Sequence, residues 1–298
     1  MAGPPRRKWR LISATITALP TGCLAFFPAS QCIGFRSQSR ARLSHQIRMQ
    51  PVHNHGDRCE AAEMERVVKT RLLRWCDNFV GDLGLCPWAR QSLSAPGAIR
   101  IKVVPQSDGL EGFEGTLRDS AEELLRVTGY PCDTEKGEVD DNAIDLVDPN
   151  VAITFVVAAP LTGEELPEFS FALFCDFAYD LEDRLLDEAD ELREKKGMPH
   201  FGEEVTIAPF HPDWKFAGND GEIDGTEADK SDSVAWEKRT PYPTISLVRT
   251  SAIAAAGCDA TSRIAVHNEE VLSELGSHAL GELFRERVLL GISRNLYS

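Results

Sequence analysis

One stretch limits the possible folds of this chain more than any other: Val151 to Ala159, nine residues that are apolar except for one threonine. A short, continuous apolar run is typical of a strand covered on both faces of a sheet. Alternating or apolar patterns predict three more strands, at residues 99–104, 205–210 and 244–248. The chain therefore predicts a central sheet of about four strands.

The segments between these strands have apolar residues at helical spacing. The clearest example is the set Met64, Val68, Leu72, Trp75 and Phe79, which share one face of a helix. The predicted helices cover residues 62–80, 114–128, 169–196, 251–256 and 264–290. Strands that alternate with helices predict an α/β (or α+β) layered single domain over residues 57–298, with a mixed sheet covered by helices.

The first 56 residues differ in charge from the rest. They carry eight of the 32 basic residues and none of the 47 acidic ones. A basic start, a short apolar stretch at residues 11–19 and small residues around Ala25 indicate a signal segment, followed by an Arg- and Ser-rich stretch. This order resembles a bipartite plastid (chloroplast) presequence; a mitochondrial presequence and a disordered leader are the alternatives.

The body of the chain is acidic, and the net charge of the whole chain is −15. Such a charge repels phosphate backbones, so we expect no nucleic-acid partner. No apolar stretch is long enough to predict a membrane span in the mature protein. Two segments, residues 133–150 and 217–237, hold seven acidic residues against one lysine each and are predicted to be mobile surface insertions.

Cys86 is the first candidate catalytic residue. It precedes Pro87, a residue favoured at the first position of a helix, so Cys86 is predicted at the helix N-cap. Backbone N–H groups at that position lower the pKa of a thiol and make it reactive. The alternative is a buried cysteine that packs beside Trp88, which the pattern favours.

His211 is the second candidate catalytic residue. It follows the third predicted strand, and ligands of α/β domains commonly bind beyond strand ends. There it could act as a base or contact an anion, with Asp213 to orient it and Lys215 beside it as a substrate-binding residue. A structural histidine in a proline-braced turn fits the sequence equally well.

Arg239, Tyr242 and Arg249 flank the fourth predicted strand and are candidate substrate-binding residues. Prolines on both sides of Tyr242 make a stiff segment, and two guanidinium groups could hold a carboxylate or phosphate. Pairing of each arginine with one of the many acidic residues is the alternative.

Three motifs of this chain resemble a family described as a domain of unknown function, DUF1415. They are Gly84-Leu85-Cys86-Pro87-Trp88, then residues 210–218 with Phe210-His211-Pro212 and Phe216-Ala217-Gly218, then Arg239 with Pro241-Tyr242-Pro243. The likeness extends over roughly residues 62–290. The chain has Ser246 and Thr250 where the family tends to have a histidine and a glutamate, and Lys238 where an asparagine is frequent. The resemblance implies no reaction.

We expect no cofactor and no bound metal. The cysteines are scattered without a Cys-x-x-Cys pair. A stripe on the last predicted helix has metal-like spacing but is more simply a solvated face; its members are His267, Glu270, Glu274 and His278.

Three functions remain open at the level of sequence. The leading hypothesis is an organellar small-molecule enzyme with a Cys86, His211 and arginine pocket for an anionic substrate. The alternative is a non-catalytic ligand-binding or assembly module in which the same residues fix turns. A metal-dependent hydrolase is the third hypothesis. The sequence leaves the oligomeric state open.

Overall fold

A computed structural model of the chain describes residues 55–129, 146–160, 166–196, 201–215 and 232–292. Residues 1–54 of the predicted presequence (1–56) and most of both acidic insertions lie outside the described residues.

The four predicted strands form one mixed sheet. They are β1 (Ile99–Pro105), β2 (Ile153–Ala159), β3 (Val205–Phe210) and β4 (Thr244–Arg249), in the order β1-β2-β4-β3. β1 and β2 are parallel, and β4 lies between β2 and β3 and is antiparallel to both. The parallel pair needs a crossover connection, which the helix after β1 supplies.

Helices cover one face of this sheet through a large apolar cluster. They are α3 (Gly109–Val127) and α4 (Phe171–Lys196), preceded by a short 3₁₀ turn at Pro167–Phe169. Alternate strand residues such as Val156, Ala158, Ile245 and Leu247 point into this cluster, which we call the α3/α4 layer. Phe113 and Phe174 are fully buried in it.

A second set of helices covers the opposite face. These are α1 (His55–Arg74), which continues as a π-helical turn (Trp75–Gly81), and α8 (Cys258–Phe284), which continues as another (Arg285–Leu290). The alternate residues Phe155, Val157 and Ala159 of β2 point into this α1/α8 layer. The continuous apolar run in β2 is explained, because its two sets of side chains enter two different cores.

Shorter elements connect these layers. They are α2 (Ala89–Ser94), α5 (Phe201–Glu204), a helical segment at residues 232–235 that we call α6, a 3₁₀ turn at Trp236–Lys238, and α7 (Thr250–Ala256). None of the helices in the described ranges has the length and apolar content that a membrane crossing needs.

The predicted α/β layered fold with a four-stranded mixed sheet is confirmed. The helix boundaries differ: α3 begins at Gly109 rather than near residue 114, and α8 begins at Cys258 and breaks at Gly276, which has φ 74°. A positive φ costs glycine little, so this residue supplies the break. Met64, predicted on the buried face of α1, is exposed, whereas Val68 and Leu72 are fully buried.

The end of the second acidic segment is packed against the protein. Residues 232–237 form α6 and the start of the following 3₁₀ turn, and Ser233 and Ala235 are 1% exposed. The end of this acidic stretch is therefore part of the folded domain, because its small and apolar side chains are buried. The net charge of the segment does not predict this.

Candidate functional site

His211 is buried and both of its ring nitrogens have backbone partners. Nε2 lies 2.9 Å from the carbonyl oxygen of Phe169, and Nδ1 accepts a hydrogen bond from the backbone N–H of Asp213 at 3.0 Å. This arrangement requires a neutral imidazole whose proton is on Nε2. The ring lies 5.8 Å from that of Phe174, within the α3/α4 layer. His211 thus ties the turn after β3 to the 3₁₀ turn before α4.

Cys86 lies on the other side of the sheet, where it packs against the α1/α8 layer. Burial raises the pKa of its thiol, and hydrogen bonding from the backbone N–H groups of Trp88 and Ala89 acts in the opposite direction. The predicted N-cap position of Cys86 is wrong, because α2 begins at Ala89 and its N-cap is Trp88, two residues after Cys86. Desolvation outweighs the helix terminus, and the neutral thiol is favoured.

Asn268 attaches the Cys86 loop to α8. Its side-chain amide donates to the carbonyl oxygen of Leu85 at 3.1 Å and to the carboxylate of Glu237 at 3.3 Å. Burial raises the pKa of Glu237, against the effect of the neighbouring Lys238 charge. The Cys86 motif and the 3₁₀ turn before Arg239 thereby meet on one side chain of α8, which sequence analysis did not identify.

Arg239 forms an ion pair within a small polar cluster. Its guanidinium donates to the carboxylate of Asp232 at 2.6 Å and to the carbonyl oxygen of Trp214 at 3.1 Å. The ring of Trp236 lies 4.4 Å from the guanidinium carbon. The exposed Lys215 contributes its charge to the same carboxylate. Two of the predicted substrate-binding residues thus meet at Asp232.

Arg249 is buried at the junction of three elements. It donates to Thr128 Oγ1, at the end of α3, at 2.9 Å and contacts the carboxylate of Glu204, at the end of α5, at 3.4 Å. The position of its Cα at the end of β4 explains these contacts. Arg239 and Arg249 therefore each pair with an acidic residue.

Tyr242 has a different cationic partner. The Nη1 group of Arg71, on α1, donates to the hydroxyl oxygen of Tyr242 at 2.9 Å, across 171 residues of sequence. Arg71 is partly buried, and it forms no ion pair with any of the described residues. A guanidinium held by a neutral phenol keeps a full positive charge available to an anion. We call this pair the Arg71–Tyr242 site.

Further along the same sheet face, toward the far end of β4, lie small and hydroxyl-bearing side chains. Ser246 lies between Phe155 of β2 and Ala208 of β3 in register, so the three share the face of the α1/α8 layer. On the same face the Thr206 and Thr250 hydroxyls are 3.1 Å apart. Ala208, Phe210 and Val248 are partly exposed. This half of the sheet face is therefore only partly covered by helices.

Trp75 lies one helical turn after Arg71 and packs over this part of the sheet. Its ring makes edge contacts with Phe155 at 6.0 Å and with Phe210 at 5.4 Å. Trp75 is 4% exposed, and its indole N–H has no hydrogen-bond partner among the described residues. A buried donor without a partner costs free energy.

The sequence offered one indirect sign of this site. Tyr242 is a predicted substrate-binding residue, whereas the helical pattern of residues 62–80 does not single out Arg71. Only the tertiary contact distinguishes Arg71 from its neighbours on α1: Arg66 pairs with Glu63 and Lys69 with Glu65.

Metal ligation receives no support from the described part of the chain. Within it, no three His, Cys, Asp or Glu side chains come together in a way that could hold a metal ion.

The fold and this site define an α/β/α layered protein in which the guanidinium of Arg71, unpaired with any carboxylate of the described residues, lies near the start of the inner strand β4. Residues 171–282 match the sequence model of a family described as protein of unknown function (DUF1415), which confirms the resemblance over that part of the chain. The matched part includes His211, Arg239 and Tyr242, whereas Arg71 and Cys86 precede it. No curated protein and no solved structure matches the chain.

Proposed function

We propose that the protein is a non-catalytic binding module for a small anionic molecule, and that Arg71 and Tyr242 hold the anion. The observation that carries this proposal is the guanidinium of Arg71, which is partly buried and hydrogen-bonded to a neutral hydroxyl. A desolvated guanidinium without a carboxylate gains strongly from binding an anion.

Arg239 and Arg249 are weaker candidates for the anion contact. Each already donates to a carboxylate, and an incoming anion would have to displace Asp232 or Glu204. The displaced carboxylate would remain close to the bound anion, and the two negative charges would repel each other. Arg71 requires no such exchange.

The enzyme hypothesis, with Cys86 as nucleophile and His211 as base, agrees less well with these contacts. Burial raises the pKa of the Cys86 thiol, which disfavours the thiolate that attacks a substrate. Both nitrogens of His211 are occupied by backbone groups, so a proton transfer would cost one of these hydrogen bonds. The packing of the two side chains on opposite faces of the sheet also separates nucleophile from base.

The test is an anion titration of the full chain by thermal denaturation, with inorganic phosphate, acetate and benzoate as probes. At least one probe is expected to raise the midpoint of wild-type unfolding, and Arg71→Gln is expected to abolish that rise because it removes the charge. Arg66→Gln is the matched control, since Arg66 is an exposed arginine on the same helix, paired with Glu63.

Two results would contradict the proposal. One is the absence of stabilisation by every probe in the wild type. The other is stabilisation that survives Arg71→Gln but disappears in Arg239→Gln or Arg249→Gln.

A further inference from the structure

We infer that the anion is a monocarboxylate with an apolar, preferably aromatic, body; this inference rests on the proposed function and names its ligand class. The argument combines the geometry of Arg71, the charge of its surroundings and the side chains of the neighbouring sheet face.

The free part of the Arg71 guanidinium fits a carboxylate. Nη1 is directed to the Tyr242 hydroxyl at 2.9 Å, and the Nε and Nη2 groups have no hydrogen-bond partner among the described residues. These two N–H groups lie in one plane on one edge of the guanidinium, which matches the two oxygens of a carboxylate. Tyr242 thus fixes the orientation of the fork without using its bidentate edge.

The charge of the site favours a monoanion. One guanidinium supplies one positive charge, whereas a phosphate carries more than one negative charge at neutral pH. The acidic composition of the chain, −15 in total, adds to the cost of a dianion. A single carboxylate is neutralised by Arg71 alone.

The surroundings favour an apolar body attached to that carboxylate. Trp75 is the first residue of the π-helical turn that continues α1 and lies one turn beyond Arg71, so the indole and the guanidinium lie on one helix face. Phe210 and Ala208 are partly exposed on the same sheet face, and the Trp75 ring lies 5.4 Å from that of Phe210. Aromatic rings gain from edge contacts with such a surface in addition to the burial of apolar area.

Calorimetric titration of the full chain with benzoate, acetate and inorganic phosphate tests this inference. Benzoate is expected to bind about tenfold or more tightly than acetate, because its ring buries apolar area that acetate lacks. Phosphate is expected to bind more weakly than benzoate. Tyr242→Phe is expected to weaken benzoate binding several-fold and to leave the fold intact, since it removes only the hydroxyl.

Tryptophan fluorescence tests where the ring of bound benzoate lies. Benzoate is expected to change the tryptophan emission of the wild type, and Trp75→Phe is expected to remove most of that change while the other tryptophans remain. Retention of the full change in Trp75→Phe would overturn the placement of the apolar body beside Trp75.

The outcomes separate this inference from the proposed function. If phosphate or acetate binds as tightly as benzoate and Arg71→Gln abolishes the binding, the monocarboxylate inference is overturned and the anion-binding proposal stands. If none of the three anions binds, both fail.

Discussion

At the scale of single residues, His211 and the arginines Arg239 and Arg249 have the contacts of residues that hold turns together. His211 joins two turns through both ring nitrogens, at 2.9 Å and 3.0 Å. Arg239 and Arg249 each join segments that are distant in sequence. A motif of several polar residues can therefore arise from the hydrogen-bonding needs of buried turns.

Replacement of His211 tests this interpretation. His211→Ala leaves the Phe169 carbonyl and the Asp213 N–H without their partner and opens a cavity among aromatic rings, so unfolding is expected to require about 2–4 kcal/mol less free energy. The measurement is urea denaturation followed by circular dichroism. His211→Asn, which retains an acceptor near the position of Nδ1, is expected to recover part of the loss.

A catalytic histidine would behave differently. An unchanged denaturation midpoint in His211→Ala would show that the two hydrogen bonds contribute little, and the structural role would be wrong.

Sequence reasoning at this scale identified residues but not partners. The Pro-Tyr-Pro segment directed attention to Tyr242, yet the partner of its hydroxyl is 171 residues away. Neither periodicity nor motif spacing predicts this contact, because a contact between a helix and the segment before β4 depends on how the layers pack. The local prediction that a short helix follows Cys86 needed only Pro87, but α2 begins at Ala89, two residues later than predicted.

At the scale of elements, the end of the second acidic segment stabilises the break in α8. Asp232 of α6 accepts hydrogen bonds from Arg239 and from Ser277, the residue that follows the Gly276 break. Trp236 donates its indole N–H to the same serine hydroxyl at 3.1 Å. Charge and composition predict a mobile insertion at these residues. They cannot show that Asp232 has partners in the folded protein.

The pH dependence of stability tests this connection. Burial acts to raise the pKa of Asp232, but the hydrogen bond from Ser277 and the charge of Arg239 hold it below its usual value. A carboxyl whose pKa is lowered in the folded state stabilises the protein above its unfolded pKa, and this stability is lost as the pH falls through the folded pKa. Asp232→Asn is therefore expected to lower the thermal midpoint at neutral pH and to have a smaller effect in acid.

Asp119→Asn on α3 is the matched control, because Asp119 is exposed. An Asp232→Asn midpoint that lies below the wild type by the same amount at neutral and at acid pH would contradict the ion-pair explanation.

At the scale of the whole molecule, the sheet separates two apolar cores that differ in how completely they cover it. The α3/α4 layer holds His211 and Arg249 in fixed contacts, and the α1/α8 layer leaves part of the sheet open beside Arg71. The fold class followed from the order of apolar runs, since burial patterns determine layers. The Arg71–Tyr242 site could not be predicted in the same way, because its two residues are far apart in sequence: Arg71 precedes the family match and Tyr242 lies inside it.

The most direct test of the central claim is a crystal soaked in 4-bromobenzoate, with the bromine located by its anomalous scattering. The account predicts a bromine peak next to Trp75 and Phe210, with the carboxylate on the Nε and Nη2 edge of Arg71. A bromine peak beside Arg239, Arg249 or Cys86, with Arg71 unoccupied, would contradict it.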